Sequence, residues 1–299
     1  MRSGFVAVVG RPNVGKSTLV NKMVGTKVAI TSARPNTTRH RILGVLHDER
    51  ADAQIVFVDT PGIHRPRSAL GSRLNNTATE ALAEVDVVMA VVDATAAVGP
   101  GDRTVLERSV RHLRQSSSAD AEPGLVVVVN KTDRATTGRV LERLAEAKEA
   151  VDALGEQLDV EYFPVSARTG KGVEELTEYL IGRLPEGPPY FPTDVVTDTP
   201  EALWIAELVR EQLLAKTRDE LPHAITCRVT EWEGPLIRVE IIVERDSQKA
   251  IVIGKGGEVL KAVGIAVREQ LPEGSYLDLH VKVERRWQNR EEMLDRLGY

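Results

Sequence analysis

The chain has few of the residues that mark secreted, membrane-spanning or metal-rich proteins. Only one of its 299 residues is a cysteine, Cys227, so no intramolecular disulfide can form, as is typical of a reducing compartment. The six histidines are scattered without zinc-ligand spacing. No stretch approaches the ~20 apolar residues of a membrane span, and the apolar start Phe5–Val9 is too short for a signal peptide. We therefore expect a soluble, cytoplasmic protein.

Aromatic residues and excess charge are also scarce. Aromatic residues make up 4% of a chain that is 42% hydrophobic, so its apolar contacts should be mainly aliphatic. The net charge of −5 argues neither for nor against nucleic acid. The length suffices for about two domains.

The first half of the chain alternates apolar runs with helical patterns. The runs are continuous in Val and Ile, as in parallel strands covered on both faces. The predicted strands are Phe5–Val9, Ile55–Val58, Val85–Val92, Leu125–Val129 and Glu161–Val165, and helices include Ser17–Met23, Asp102–Arg114 and Val140–Leu154. This alternation predicts an α/β domain with a doubly wound, mostly parallel sheet over residues 1–184.

A proline-rich segment separates this domain from a smaller one. Four prolines in Leu184–Pro192 predict a linker over residues 185–198. Residues 199–299 follow the order helix, strand, strand, helix, strand, typical of a compact α+β module. Thr199 is the predicted N-cap of the first helix. Ile251–Ile253 is predicted to be a short strand before a glycine turn and a helix.

The segment Gly10–Ser17 fits the phosphate-loop pattern G-x-x-x-x-G-K-[ST] between a predicted strand and a predicted helix. Glycines let backbone N–H groups surround phosphate oxygens at a helix N-terminus. We expect Lys16 to reach the β and γ phosphates and Ser17 to ligate Mg²⁺. The alternative, a chance glycine–lysine turn, is disfavoured by the strand–turn–helix context.

Two further segments are expected to sense the γ-phosphate. Asp59 follows a predicted strand and is placed to hold Mg²⁺, while Gly62 can present its N–H to the γ-phosphate. In the polar loop that follows the phosphate loop, Thr38 is favoured over Thr37 as the residue that completes the Mg²⁺ shell. Ile63 stands where Ras-type switches carry a water-orienting glutamine. Hydrolysis is therefore intrinsically slow, or another residue or ion completes the site.

The segment Asn130–Asp133 specifies the base. The Asp133 carboxylate can accept two hydrogen bonds from guanine that adenine does not offer. Asn130 would contact the other side of the base, and the Lys131 stem would cover its face. Ser166-Ala167, after the last strand of the domain, would supply a backbone N–H to guanine O6.

The C-terminal module carries the pattern G-x-x-G at Gly254–Gly257, which lets a nucleic-acid backbone approach closely. Alone this pattern is weak, since an ordinary turn can contain it. From Val195 onward 15 Lys and Arg oppose 19 Asp and Glu, so the module is not basic overall. Trp287 could stack on a base or pack the last helix. The candidate RNA-binding residues are Ile253, Gly254, Lys255, Gly256, Gly257, Lys261, Lys282, Arg285 and Arg286.

The segments Gly10–Thr18, Thr37–Arg41 and Asp59–His64 resemble those of the bacterial Era GTPases. Together with Asn130–Asp133 and the C-terminal module, the resemblance covers nearly the whole chain. It implies a P-loop GTPase domain followed by a type II KH domain. The implied catalytic residues are Lys16, Thr38 and Gly62, and the implied Mg²⁺ ligands are Ser17, Thr38 and Asp59. The implied GTP-binding residues are Gly10, Arg11, Pro12, Asn13, Val14, Gly15, Lys16, Ser17, Thr18, Asp59, Thr60, Pro61, Gly62, Ile63, Asn130, Lys131, Asp133, Ser166 and Ala167.

By the same resemblance, the partner is small-subunit (16S) ribosomal RNA and the process is assembly of the 30S subunit; no DNA binding is expected. Asn13 is either a K⁺ ligand, as in related K⁺-activated GTPases, or a turn residue. A different-class alternative is a signalling GTPase peripherally bound to the cell membrane whose C-terminal module binds protein or lipid. No basic amphipathic helix or lipidation signal supports it. A metabolic kinase would need an acceptor site that the sequence does not reveal.

Overall fold

The computed structural model describes residues 1–82, 85–116, 124–155, 159–217 and 221–299. The chain divides into two compact units. The first comprises residues 1–29, 38–66 and 73–198, and the second comprises residues 30–37, 67–72 and 199–299. The division near residue 199 follows the proline-rich segment, but two short segments from the N-terminal half belong to the second unit.

The first unit is built on a six-stranded sheet. Its strands are β1 (Arg2–Gly10), β2 (Ile42–Asp48), β3 (Ala53–Asp59), β4 (Val87–Asp93), β5 (Gly124–Asn130) and β6 (Val160–Pro164). The order is β2-β3-β1-β4-β5-β6, and β2 alone runs antiparallel to its neighbour. The predicted doubly wound, mostly parallel sheet is confirmed.

Helices cover both faces of this sheet. They are α1 (Lys16–Val24), α2 (Ala69–Glu80), α3 (Pro100–Ser116), α4 (Thr137–Asp152) and α5 (Val173–Arg183). Alternate residues of β1 enter two different cores, Val6 and Val8 on one face and Ala7 and Val9 on the other. Burial on both faces explains why the strands read as continuous apolar runs.

The second unit is built on a three-stranded sheet, one face of which shares a hydrophobic core with helices of the unit. Its elements are α6 (Glu201–Lys216), α7 (Leu221–Ala224), β7 (Thr226–Glu233), β8 (Leu236–Val243), α8 (Asp246–Ile253), α9 (Glu258–Arg268), β9 (Tyr276–Val283) and α10 (Glu291–Arg296). The sheet order is β7-β8-β9, with β7 antiparallel and β9 parallel to β8. Val239 and Ile241 of β8 join Val252, Val263 and Val267 of α8 and α9 in one core.

Some elements differ from the sequence-based predictions. The strand predicted at Ile251–Ile253 is wrong, because these residues form the last turn of α8. Three apolar residues have no measurable period and cannot distinguish strand from helix. The edge strand β2 was not predicted, because its polar end and the glycine at position 44 interrupt the apolar pattern. The helix predicted to start after Thr199 begins at Glu201, with Pro200 as its N-cap.

The proline-rich segment packs against the first unit. The N–H of Ser3 donates to the carbonyl of Pro185 at 3.0 Å, and the N–H of Val45 donates to the carbonyl of Val196 at 2.8 Å. The side-chain amide of Gln54 binds the N–H of Tyr190 at 2.7 Å and the carbonyl of Phe191 at 2.8 Å. Residues 185–198 thus belong to the first unit and form hydrogen bonds with three of its strands, and their role as a linker stays a prediction.

Candidate functional site

The predicted nucleotide-binding segments meet at one edge of the six-stranded sheet. Gly10, Asp59 and Asn130 end strands β1, β3 and β5, and Ser166 follows β6. The carboxyl ends of parallel strands lie at the same edge, and ligands bind where the strand order reverses around β1. The sheet therefore brings together residues separated by more than 150 positions in the sequence.

The phosphate loop is fixed from beneath by Asn130. Gly15 caps α1 with a left-handed φ of 98°, and a Cβ added there would lie 2.4 Å from Asn130 Nδ2. Asn130 Nδ2 in turn donates to the carbonyl of Val14 at 2.9 Å. Glycine is required here both for the backbone angle and for this close approach. Ser17 and Thr18 follow in the first turn of α1.

Lys16 is buried at the centre of the loop. Its ammonium donates to the carbonyls of Gly10 and Arg11, both at 3.2 Å. Burial lowers the pKa of Lys16 to about 8, although the nearby Asp59 carboxylate acts in the opposite direction. Anionic phosphate in the loop would favour the charged ammonium, so this group is suited to bind a polyphosphate.

Ser17, Thr38 and Asp59 place their side-chain oxygens side by side. Ser17 Oγ donates to Asp59 Oδ2 at 2.6 Å and lies 2.8 Å from Thr38 Oγ1. Thr38 Oγ1 donates to the same carboxylate oxygen at 3.4 Å. The Thr37 hydroxyl forms a hydrogen bond with Ser32 Oγ, at 2.6 Å.

The Asp59 carboxylate is fully buried and incompletely satisfied. Burial raises its pKa, although Lys16, Ser17 and Thr38 act to lower it. Among the described residues Asp59 Oδ1 has no hydrogen-bond partner. A buried carboxylate oxygen beside two hydroxyls is a suitable oxygen donor set for Mg²⁺, which takes one or two carboxylates and completes its shell with water and phosphate.

The turn after Asp59 lies against the phosphate loop. A Cβ added to Gly62 would come within 2.5 Å of Pro12 N, so only glycine fits. The N–H of Ile63 donates to the carbonyl of Gly10 at 3.1 Å, and the Ile63 side chain is buried in the core. Thr60 Oγ1 donates to the carbonyl of Val8 at 2.8 Å and anchors the start of the turn, which continues through Pro61. The aliphatic side chain of Ile63 offers no hydrogen bond to water.

The residues that are predicted to bind the base form hydrogen bonds with one another. Asn130 Oδ1 accepts the N–H groups of Lys131 at 2.8 Å and Ala167 at 3.0 Å. The predicted use of an N–H in this loop for guanine O6 stays a prediction, and for Ala167 it would require sharing with Asn130. Ser166 Oγ donates to the exposed Asp133 carboxylate at 2.7 Å, so Ser166 orients the carboxylate that is predicted to recognise the base. From the sequence we expected only a backbone role for Ser166.

Two acidic residues that support the loop were missed. Asp93, at the end of β4, accepts the Lys131 ammonium at 2.6 Å, and the same ammonium donates to the carbonyl of Asn13 at 2.5 Å. Burial opposes ionisation of Asp93, but hydrogen bonds from Lys131 and Thr95 outweigh it and lower the pKa. An acidic residue directly after an apolar run is the signal that could have revealed Asp93, as it revealed Asp59.

The second missed residue is Asp102, on α3. Its buried carboxylate pairs with Arg11 at 3.1 Å and also accepts the N–H of Gly99 at 3.0 Å. Arg11 is thereby tied to the protein rather than directed at the loop interior. Asn13 has a left-handed φ of 65°, which fits the turn interpretation, and its predicted role as a K⁺ ligand stays a prediction.

The G-x-x-G loop joins two helices, α8 and α9. Gly254, Gly256 and Gly257 all have left-handed φ values, between 61° and 82°. A Cβ on Gly254 would lie 2.6 Å from Val259 Cγ2, whereas Gly256 and Gly257 face open space within 4 Å. Lys255 is exposed at the tip. The loop thus has one structural glycine and two glycines with an accessible backbone.

The predicted RNA-binding cations fall into separate regions. Lys261 is exposed on α9, the helix that follows the loop, whereas Lys282 lies on the sheet face opposite the helices, in register with Ile242. The Lys282 ammonium pairs with Glu284 at 3.0 Å and Glu240 at 3.9 Å, which offset its charge. The exposed residues that follow β9 are Arg285 and Arg286.

Trp287 packs the interior instead of stacking on a base. Its side chain is fully buried, and its Nε1 donates to the carbonyl of Ala224 at 2.9 Å.

Within the described part of the chain, no helix combines the length and apolar character needed to cross a bilayer.

Two protein families match separate parts of the chain. Residues 5–131 match the family described as 50S ribosome-binding GTPase, and residues 220–288 match the KH domain family. The chain is 47% identical to GTPase Era of Mycobacterium sp. (strain KMS), with 100% of this chain and 99% of the relative covered. It is also 47% identical to GTPase Era of Mycobacterium tuberculosis (strain ATCC 25177 / H37Ra), with 99% and 98% covered.

Solved structures agree with these sequence relationships. A variant of Aquifex aeolicus Era bound to GDP·AlF4⁻ superimposes with a TM-score of 0.90 at 38% identity, covering 100% of this chain and 99% of the other. Era in complex with MgGDPNP and nucleotides 1506–1542 of 16S ribosomal RNA superimposes with a TM-score of 0.87, also at 38% identity and with the same coverage.

Proposed function

Because the chain belongs to the Era family of GTPases, we propose that it couples GTP hydrolysis to binding of the 3′ end of small-subunit ribosomal RNA during assembly of the 30S subunit. The observation that supports this most strongly is that one chain contains two features. The predicted nucleotide-binding segments all meet at one edge of the six-stranded sheet, here called the nucleotide edge, and the G-x-x-G loop has an accessible backbone. We further propose that the protein acts in the cytoplasm.

In the proposed GTP site, Lys16 binds the β and γ phosphates from within the loop, because its ammonium lies between the loop carbonyls. Gly62 offers its N–H to the γ-phosphate from the turn that contacts Pro12. The bonds between Asn130, Ala167, Ser166 and Asp133 hold the base-recognition groups in place before guanine arrives. Preorganised donors and acceptors lower the cost of binding.

Ser17 and Thr38 would hold Mg²⁺ directly, with Asp59 behind them, since the three oxygens converge and Asp59 Oδ1 lacks a partner among the described residues. When bound, the ion neutralises negative charge on the phosphate oxygens. The aliphatic Ile63 leaves the attacking water without a glutamine side chain, so we expect slow intrinsic hydrolysis.

The proposed RNA surface is the loop between α8 and α9. Gly256 and Gly257 leave the backbone accessible, Lys255 adds positive charge, and Lys261 lies on the following helix. The Era structure with 16S ribosomal RNA supports this choice of ligand. The same structure contains a GTP analogue, which supports RNA binding in the GTP-bound state.

The test is to replace Lys255 and Gly256 together with aspartate. Asp tolerates the left-handed backbone of Gly256, and the two carboxylates would oppose a passing phosphate backbone. We expect the affinity for an RNA containing the 3′ end of 16S ribosomal RNA, measured by fluorescence anisotropy, to fall at least about tenfold, or ~1.4 kcal/mol. GTP affinity should be unchanged.

The matched control changes Gly274 and Arg268 to aspartate. Gly274 also has a left-handed φ with open space around it, and Arg268 is exposed at the far end of α9 from the loop. This control should bind RNA with an affinity close to that of the unmodified protein. Normal RNA binding by the folded Lys255/Gly256 variant would place the RNA site elsewhere, and binding to anionic vesicles without RNA binding would support the membrane alternative.

A further inference from the structure

The chain segment that leads into Thr38 is held by the first helix of the second unit. Ile30 is buried in the core of that unit together with residues of α6. The N–H of Thr31 donates to the Glu211 carboxylate at 2.8 Å, and the Arg34 guanidinium donates to the carbonyl of Thr217 at 3.1 Å. Residues 30–37 are therefore held against α6 by hydrogen bonds and by apolar packing.

The last of these contacts involves a buried ion pair on α6. Arg210 is fully buried, and its Nε donates to Glu207 Oε1 at 2.7 Å. Its Nη2 donates both to Glu207 Oε2 and to the backbone carbonyl of Thr37. Burial opposes the positive charge of Arg210, but the Glu207 carboxylate outweighs it and raises the pKa, so the guanidinium stays charged.

Core stability alone does not call for this pair. Replacing a buried ion pair with well-packed apolar residues is often neutral or stabilising, because the desolvation of two charges offsets their attraction. Arg210 Nη1 also has no partner among the described residues, which adds to the cost of burial. An apolar pair could fill the same space, but it could not donate a hydrogen bond to Thr37.

The Thr37 carbonyl and the Thr38 N–H belong to one planar peptide group. A donor that fixes the carbonyl therefore fixes the orientation in which the chain enters Thr38. Thr38 Oγ1 lies 2.8 Å from Ser17 Oγ, within the oxygen group proposed for Mg²⁺. The guanidinium on α6 and the nucleotide-sensing hydroxyl are thus connected through a single peptide plane.

We propose that Arg210, oriented by Glu207, is a positioning residue for GTP hydrolysis that holds the Thr37–Thr38 peptide in the arrangement that GTP requires. The inference rests on the proposed role of Thr38 and adds a residue of the KH-containing unit to the GTPase reaction. GDP lacks the γ-phosphate that Thr38 senses, so its binding does not depend on this contact.

The test replaces both charges at once, with Arg210→Met and Glu207→Leu in the full-length protein, so that no unpaired charge is left in the core. We expect the affinity for a non-hydrolysable GTP analogue and the kcat for GTP to fall about tenfold, the usual scale for losing a hydrogen bond from a charged donor. GDP affinity should stay within about twofold. The ratio of the two affinities is the readout that a purely structural role would leave unchanged.

The matched control replaces an ion pair elsewhere in the same unit, with Arg228→Met and Glu240→Leu. These residues pair at 2.7 Å across β7 and β8 on the sheet face opposite the helices. The control should keep the affinity ratio and the kcat of the unmodified protein. Thermal unfolding of both double variants verifies that they are folded.

Thr38→Ala distinguishes failure of the proposed role of Thr38 from failure of the positioning role of Arg210. If Thr38→Ala leaves the affinity ratio unchanged, the assignment of Thr38 is wrong. If Thr38→Ala lowers the ratio but the folded Arg210/Glu207 variant does not, the positioning role of Arg210 is overturned. If the double variant does not fold, Arg210→Lys decides. Lysine keeps the charge beside Glu207 but lacks the additional N–H donors of the guanidinium. An unchanged ratio of the two affinities overturns the proposal, and a reduced ratio supports it.

Discussion

The nucleotide edge and the G-x-x-G loop use glycine and charge in opposite ways. At the nucleotide edge, a Cβ on Gly15 would meet Asn130, and Asp59 is completely buried. At the loop, a Cβ on Gly256 would meet nothing within 4 Å, and Lys255 is exposed. The first region is a set of buried groups that already hold one another, and the second is an accessible backbone beside a solvated charge.

This contrast predicts different sensitivities. Groups in a buried network cannot be changed singly without leaving a neighbour unsatisfied, so single substitutions there should have large effects. Exposed charges are screened by solvent and salt, so each contributes little alone. We therefore expect larger effects from substitutions at the nucleotide edge, where hydrogen bonds hold even the exposed Asp133, than from substitutions of solvated charges in the second unit.

The largest effect is expected at Asp133, which is exposed but held by Ser166 Oγ at 2.7 Å. Asp133→Asn places an amide where guanine N–H groups need an acceptor, so GTP affinity should fall by about a hundredfold or more, with xanthosine triphosphate becoming the preferred ligand. Side-by-side titration with both nucleotides checks this, and Asp152→Asn on α4 serves as the control. A retained preference for GTP would remove Asp133 from base recognition.

A comparison of two glycines sharpens the contrast directly. Gly15 and Gly256 both have left-handed φ values, so alanine strains the backbone at each. Only at Gly15 would the added Cβ also lie 2.4 Å from Asn130 Nδ2 and force that amide to move. Gly15→Ala should lower GTP affinity at least about thirtyfold, or ~2 kcal/mol, whereas Gly256→Ala should cost only ~1 kcal/mol of unfolding free energy. Calorimetry and denaturant unfolding measure the two effects. Equal loss of GTP affinity in both variants would contradict the contrast.

The buried lysine gives the nucleotide edge a pH dependence. The pKa of Lys16 in the free protein is about 8, and bound phosphate favours the charged form. Above pH 8 nucleotide binding must therefore take up a proton, so GTP affinity should fall about tenfold between pH 7 and pH 9. Calorimetry at pH 8 in two buffers of different ionisation enthalpy measures the proton uptake. Absence of uptake would show that Lys16 is already fully charged in the free protein.

The smallest effect is expected where a cation is already paired. Lys282→Gln removes a charge that Glu284 and Glu240 offset on the sheet face opposite the helices, so RNA affinity should change less than about twofold. Lys261→Gln, on the helix after the loop, should lower it about threefold and reduce the salt dependence. Titrations at two salt concentrations compare them. A larger loss for Lys282→Gln would move the RNA surface to the sheet face that carries Lys282.

Local sequence pattern was sufficient to predict that several candidate residues lie at strand ends. Gly10, Asp59 and Asn130 each follow a run of apolar residues, and parallel pairing brings such ends to one edge. The same rule, applied to β4, would have indicated Asp93. The β-strand predicted at Ile251–Ile253 failed because three residues carry no period.

Contacts between distant parts of the chain could not be predicted in this way. Arg210 ends a run of consecutive buried residues, 205–210, on α6, and nothing near it in sequence indicates that its partner is a carbonyl 173 residues away. Likewise, nothing in the sequence indicates that the ammonium of Lys282 in β9 lies near the Glu240 carboxylate of the neighbouring strand β8. Charge pairing across strands depends on register, which composition alone does not fix.

In the proposed function, GTP and ribosomal RNA bind to separate regions of one chain, and binding at one region changes the affinity at the other. The most direct test is the affinity of the full-length protein for RNA carrying the 3′ end of 16S ribosomal RNA, measured with saturating Mg²⁺ and either a non-hydrolysable GTP analogue or GDP. We expect tighter binding with the GTP analogue, by about fivefold or more, and an equal reciprocal effect of the RNA on the affinity for the analogue. Equal RNA affinity in the two nucleotide states, or no RNA binding in either, would contradict the account.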